Sequence, residues 1–151
     1  MTMPLDHAQL RAWAAYIEAS LRLQTLLDEA LRAEAGLTLF DYHLLVVLSE
    51  APQRRLRMSE LAERMVFSRS RMTYQVNSMI KRGLVIREAA PDDGRGYRAV
   101  LTATGWETLR AAAPRHAAAV QRLFLDQIAP DELPCIERVF TRLHASLTAG
   151  P

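Results

Sequence analysis

The chain has 151 residues, of which 50% are hydrophobic and 24% charged, enough for one domain with a core and marginal for two independent ones. Its formal net charge of +2 is unevenly spread: residues 50–100 hold eleven Lys or Arg against six Asp or Glu, and the remainder eight against eleven. Such a composition excludes disorder, no apolar stretch approaches bilayer length, and a lone Cys135 excludes an intramolecular disulfide. Met1 to His7 shows neither the basic nor the apolar region of a secretory signal, so the expectation is a cytoplasmic protein without a membrane partner. On charge alone, the basic middle reads equally as a phosphate-binding surface or as a solvated face.

In chain order, apolar residues recur at helical spacing from Leu5 to about Ala35, with no Gly or Pro inside, which predicts one long helix closed by Gly36. Thr38 is the expected N-cap of a second helix, Leu39 to Glu50, whose core face would be Phe40, Leu44, Leu45, Val47 and Leu48. After Pro52, Arg54 to Met58 is a connector or minor strand. Ser59 is the expected cap of a compact helix to about Met65, with Glu60 and Glu63 favoured by the dipole of its first turn.

Phe67-Ser68 interrupts that helix, and Ser68 caps the next, Arg69 to Arg82, which Gly83 ends; so tight a junction predicts a helix-turn-helix. Leu84 to Arg87 and Ala99 to Leu101 read as paired strands around Pro91-Asp92-Asp93-Gly94-Arg95-Gly96-Tyr97, a loop rich in turn formers. Thr102 opens another helical pattern with a kink or break at Pro114. A last helix follows Pro130-Asp131-Glu132 with the apolar stripe Leu133, Ile136, Val139, Phe140, Leu143 and Leu147. The terminal helices have more apolar surface than the small central module covers, which favours pairing with a second copy over packing on their own chain.

In the helix after Ser68, Met72, Val76, Met79 and Ile80 make an inward face, leaving Arg69, Ser70, Arg71, Thr73, Tyr74, Gln75, Asn77 and Ser78 outside. Arginine pairs with guanine O6 and N7, Gln or Asn with adenine, and Thr or Tyr with phosphate or a thymine methyl. Arg69, Arg71, Thr73 and Tyr74 are the leading candidate contacts, with Ser68 and Ser70 near phosphate at the helix N-terminus. A solvated surface helix is the plain alternative. Asp and Glu are absent from Val66 to Arg87, however, whereas a solvated helix mixes signs, and this favours DNA.

Met58-Ser59-Glu60-Leu61-Ala62-Glu63-Arg64-Met65, Ser68 through Val85, Asp93-Gly94-Arg95-Gly96 and Leu101-Thr102-Ala103-Thr104-Gly105, in that order and spacing, resemble the MarR family of bacterial regulators. The resemblance implies a mainly α fold with a small β-hairpin wing. The winged helix-turn-helix lobe would be 37–101, between dimerisation helices 1–36 and 102–151, all in one intertwined unit. It implies a homodimer on a pseudo-palindromic operator of double-stranded DNA, usually a repressor released by a small molecule or by oxidation. Arg95, between two glycines at the wing tip, is the expected minor-groove contact, oriented by Asp93, with Arg98 on phosphate or in the same ion pair. The family's effector pocket would place Trp13, Tyr16, Tyr42 and His43 around a flat aromatic ligand, with Arg11 or Arg22 for its charge.

No cofactor is expected. Family members that sense peroxide carry their cysteine near the N-terminus, whereas Cys135 lies beside the apolar stripe of the last helix, where a free cysteine is usually a small hydrophobe, which leaves a redox-responsive member a weak alternative. His7, His43, His116 and His144 show no metal-ligand spacing, which leaves a zinc-responsive member a weak alternative. No glycine-rich cofactor loop or nucleophile motif appears, against an enzyme; a protein-binding winged helix without DNA affinity is the other competing class.

Overall fold

The computed structural model describes residues 4–91 and 96–149. The chain divides into two compact units, Met1–His116 and Ala117–Pro151. Among the described residues, no helix is long and apolar enough to cross a membrane.

In the first unit, α1 (His7–Ala35) starts at Asp6, whose carboxylate accepts from the Gln9 amide while the Gln9 side chain accepts from the Asp6 amide. Gly36 ends it in the left-handed conformation, φ 65°, where only glycine escapes a Cβ penalty. The chain turns at once, because Thr38 and Asp41 form a capping box at the start of α2 (Leu39–Glu50). Leu44, Leu45, Val47 and Leu48 are buried as expected, but Phe40 is 39% exposed and belongs to another contact, with Phe67. Leu37, fully buried, joins the core from the α1–α2 turn, which helical periodicity had no means to reveal.

A 3-10 turn, Pro52–Arg54, leads into β1 (Arg55–Arg57), so the minor strand is real. Helix α3 (Met58–Met65) begins two residues earlier than a Ser59 cap would dictate: the Arg57 amide donates to Glu60, and Ser59 lies inside the first turn. Helix α4 (Arg69–Lys81) is followed by Gly83 at φ 73°. β2 (Val85–Ala89) and β3 (Tyr97–Leu101) are longer than the sequence pattern suggested, because cross-strand pairing carries them toward the loop: Val85 faces Leu101, and Ala89 faces Tyr97. The sheet order is β1-β3-β2, all antiparallel, with Leu56 opposite Ala99.

Leu44, Leu45, Leu48, Leu61, Met72, Val76, Met79 and Val85 are essentially inaccessible and form one core beneath α4 and the sheet. Each such side chain stabilises the fold by about 1.5–3 kcal/mol relative to exposure. Helix α5 (Ala103–Leu123) is tied to this core by Thr102, whose hydroxyl donates to the Gly83 carbonyl (2.7 Å) and accepts from the Gly105 amide (2.9 Å). Gly105 allows this approach, since a Cβ there would stand 2.1 Å from the Leu84 carbonyl oxygen. The helix runs on through Pro114 rather than breaking, and both Pro114 and Arg110, whose carbonyl loses its usual helical donor, are exposed.

In the second unit, a 3-10 turn (Leu125–Gln127) follows α5, and Glu132 accepts from the Ala129 amide before α6 (Leu133–Thr148), with Pro134 in its first turn. No residue of α6 is buried. Leu133, Val139, Phe140, Leu143 and Leu147 are all exposed.

Candidate nucleic-acid interface

The turn between α3 and α4 is set by two local devices. Val66 takes the left-handed conformation (φ 57°) and lets the Phe67 amide return to the Ala62 carbonyl, after which the Ser68 hydroxyl accepts from the Arg71 amide and caps α4. Met72, Val76 and Met79 then point into the core, and Ile80 is half-buried. Ser68, Arg69, Ser70, Arg71, Thr73, Tyr74 and Asn77 are therefore left exposed on one polar surface without an acidic neighbour in the helix. Tyr74 is 76% exposed, too open for its ring to serve the core.

The candidate contacts differ in what already holds them. The Arg71 guanidinium lies 3.9 Å from the Phe67 ring centre and 4.9 Å from that of Phe40. Thr73 donates to the Arg69 carbonyl. Asn77 accepts from Arg87 of β2 (2.8 Å), and Arg87 also lies over Tyr97. Gln75 is drawn inward: its amide donates to Asp41, a carboxylate only 2% exposed. The same carboxylate takes Arg82 at 2.8 Å, while a second nitrogen of Arg82 donates to the Gly36 carbonyl at 2.6 Å. Sequence reasoning passed over Asp41, Phe40 and Phe67 at this site. Asp41 was visible only as the acid three residues after Thr38, which explains a cap and says nothing of Gln75 or Arg82.

Beside α4, a recess of about 350 Å³ is lined by Arg57, Ser59, Arg69, Thr73 and Tyr97 among others, so β1 and β3 bring further positive and hydroxyl groups to the same face. Arg98 stands in β3 opposite Arg57 and Glu88, and Arg55 bridges to Glu88 at 2.6 Å. Asp93 and Arg95 lie outside the described residues.

The four residues expected around an effector separate into different contacts. Trp13 and Tyr16 meet each other (5.8 Å) on the exposed surface of α1, His43 is exposed, and Tyr42 stacks on His116 at 4.2 Å. None of them lines any of the three cavities described among these residues, although Arg22 borders an open groove formed by α1 alone; Arg11 is exposed. Burial raises the Tyr42 hydroxyl above its ordinary value and lowers the His116 imidazole below 6.5, and His116 Nδ1 is buried without a hydrogen-bond partner among the described residues. Cys135 is exposed rather than packed as a small hydrophobe, with Arg138 Nη2 3.7 Å from its sulfur. Among the described residues no three His, Cys, Asp or Glu side chains are grouped to hold a metal.

AbsC, a MarR family transcriptional regulator from Streptomyces coelicolor, is 38% identical, with 98% of this chain and 99% of that one covered at a TM-score of 0.91. The chain belongs to the MarR family. The family's model matches residues 35–96, from the last residue of α1 to the residue before β3. A second MarR family regulator from the same organism, Sco3205, was solved in complex with DNA; it is 37% identical, covering 100% of this chain and 93% of that one at a TM-score of 0.94. No curated protein matches the sequence. As a MarR family fold, the chain is mainly helical with a three-stranded winged-helix sheet, as expected.

Proposed function

We propose that the chain is a sequence-specific double-stranded DNA-binding transcriptional regulator. The observation that carries this reading is the acid-free, exposed surface of α4, where Ser68, Arg69, Ser70, Arg71, Thr73 and Tyr74 project from a helix whose opposite face is locked into the core. A recognition helix needs this division, with polar and basic side chains on its first turns and a rigid back. The DNA complex of the 37% identical relative supports the same reading. The wing, with Arg95 and Asp93, adds a minor-groove contact, and Arg98 adds phosphate affinity.

The regulator acts as a homodimer on a pseudo-palindromic operator, through helices in 1–36 and 102–151 flanking the DNA lobe at 37–101. The exposed Leu133, Leu143 and Leu147 of α6 and the exposed Leu10, Trp13 and Leu21 of α1 support this assembly. In the cytoplasm it represses its target genes until a small aromatic ligand favours a dimer with the wrong spacing between lobes; that ligand then weakens DNA binding by the same coupling energy. A fluorescence anisotropy titration with random duplex and with an operator selected from a random pool tests the central claim. Tight, salt-dependent binding that favours the selected palindrome is expected. A complete lack of salt-dependent binding would replace this reading by that of a protein-interaction module.

A further inference from the structure

Arg71 poses a physical problem for any recognition helix, because a long exposed arginine surrenders side-chain entropy when it is fixed against a base. Here the guanidinium is already placed, 3.9 Å from the Phe67 ring centre and 4.9 Å from that of Phe40, and the two rings meet at 5.1 Å. Among the described residues the Arg71 side chain makes no hydrogen bond or ion pair, so its orientation comes from the aromatic faces and its N–H donors stay unspent. An acidic partner would hold the same cation while consuming those donors. The two rings come from different elements, α2 and the α3–α4 turn, and Phe40 is kept 39% exposed at a position where helical spacing would otherwise send it to the core.

We infer that Phe40 and Phe67 are positioning residues for sequence specificity: they form an aromatic shelf that presents Arg71, with its donors free, for bidentate reading of a guanine edge. This rests on the DNA-binding reading and sharpens it, since the shelf governs discrimination and the arginine's charge governs general affinity. Rings attract a cation through their faces without neutralising it. Loss of a ring therefore leaves the electrostatic attraction to phosphate in place and removes only the orientation.

The test uses the full-length protein, with an operator selected from a random pool and a random duplex, in a salt series, for Phe67→Leu, Phe40→Leu, Phe67→Tyr and Arg71→Ala. Thermal melts confirm folding. The leucine variants are expected to lose about threefold to tenfold in operator affinity. Their random-duplex affinity and salt slope should stay unchanged, and repeat selection should show a relaxed guanine preference at one position. Phe67→Tyr, which keeps the ring, should restore wild-type discrimination, and the leucine substitutions should add nothing in an Arg71→Ala background. Equal losses with and without Arg71, or an intact guanine preference in the leucine variants, would overturn the shelf while leaving DNA binding intact. A wild-type protein without salt-dependent binding to any duplex would overturn the DNA-binding reading itself, and the shelf's role with it.

Discussion

Helices α4 and α6 are both amphipathic, yet they end in opposite states. Met72, Val76 and Met79 of α4 are at most 1% exposed, whereas the apolar stripe of α6 has no buried member. One helix locks its apolar side chains into the core of its unit, whereas the other has no buried residue at all. Exposed apolar stripes of this kind are rarely left uncovered in a working protein, and on the proposed reading the contrast divides the part that would read DNA from the part that would assemble.

The largest expected effect tests the completed helix. Met79→Ala should cost about 2–5 kcal/mol in denaturant unfolding. Leu147→Asp, at an α6 position 73% exposed, should leave a folded protein of reduced mass in sedimentation, with operator binding weakened through loss of the second half-site. A Leu147→Asp protein that sediments like the wild type would break the comparison.

Next come the reading residues. Tyr74→Ala or Arg95→Ala should each weaken operator binding by about 1–3 kcal/mol without shifting the melting temperature. For Arg95 the salt slope should also flatten by about one phosphate contact per subunit. Affinities unchanged across salt would remove Arg95 from the interface. Gly105→Ala, by forcing a Cβ against the Leu84 carbonyl, should destabilise by about 1–3 kcal/mol and leave the base preference of whatever protein remains folded unaltered.

The smallest effect concerns pH. His116 has a folded-state affinity for protons below its ordinary 6.5 because burial disfavours the imidazolium. The unfolded chain therefore binds the extra proton first, and stability is lost as pH falls through 6.5 toward the lower folded value. Replacing His116 with Phe keeps an aromatic partner for Tyr42 and should flatten this part of the stability profile. Asp28 acts in a lower window. Burial pushes its carboxyl up, but the Leu39 amide and Arg32 outweigh that and hold it below 3.8, so its contribution is lost only under more acidic conditions. A His116→Phe protein with the wild-type slope between neutral pH and 5 would show that other groups carry the dependence.

The caps at Gly36, Thr38 and Ser68, and the inward stripe of α4, were legible because each depends on residues within one or two turns. The Leu-Thr-Ala-Thr-Gly segment was recognisable as a motif, but its purpose, a hydroxyl hooked to the end of α4, needed the fold. Nonlocal contacts were hidden for the same reason. Phe40 obeys helical periodicity and was read as core, whereas a ring 27 residues onward claims it. Gln75 looked like a base-reading amide until a buried carboxylate 34 residues earlier was found to hold it. Cys135 was expected from its helix face and the effector candidates from the family resemblance; Cys135 is exposed, and the candidates separate into different contacts.

Thr102 grips one end of α4 through the Gly83 carbonyl, and Asp41 holds its flank through Gln75 and Arg82. A rod fastened at two points cannot swivel alone. On the proposed DNA-binding reading, redirecting such a protein to a new target is a task of exchanging fingertips rather than bending the hand: variants at Arg69, Thr73 and Tyr74 are expected to alter preference on an unchanged frame, whereas changes at Thr102 or Asp41 should move the frame itself. For an engineer, the fixed helix is a reusable chassis.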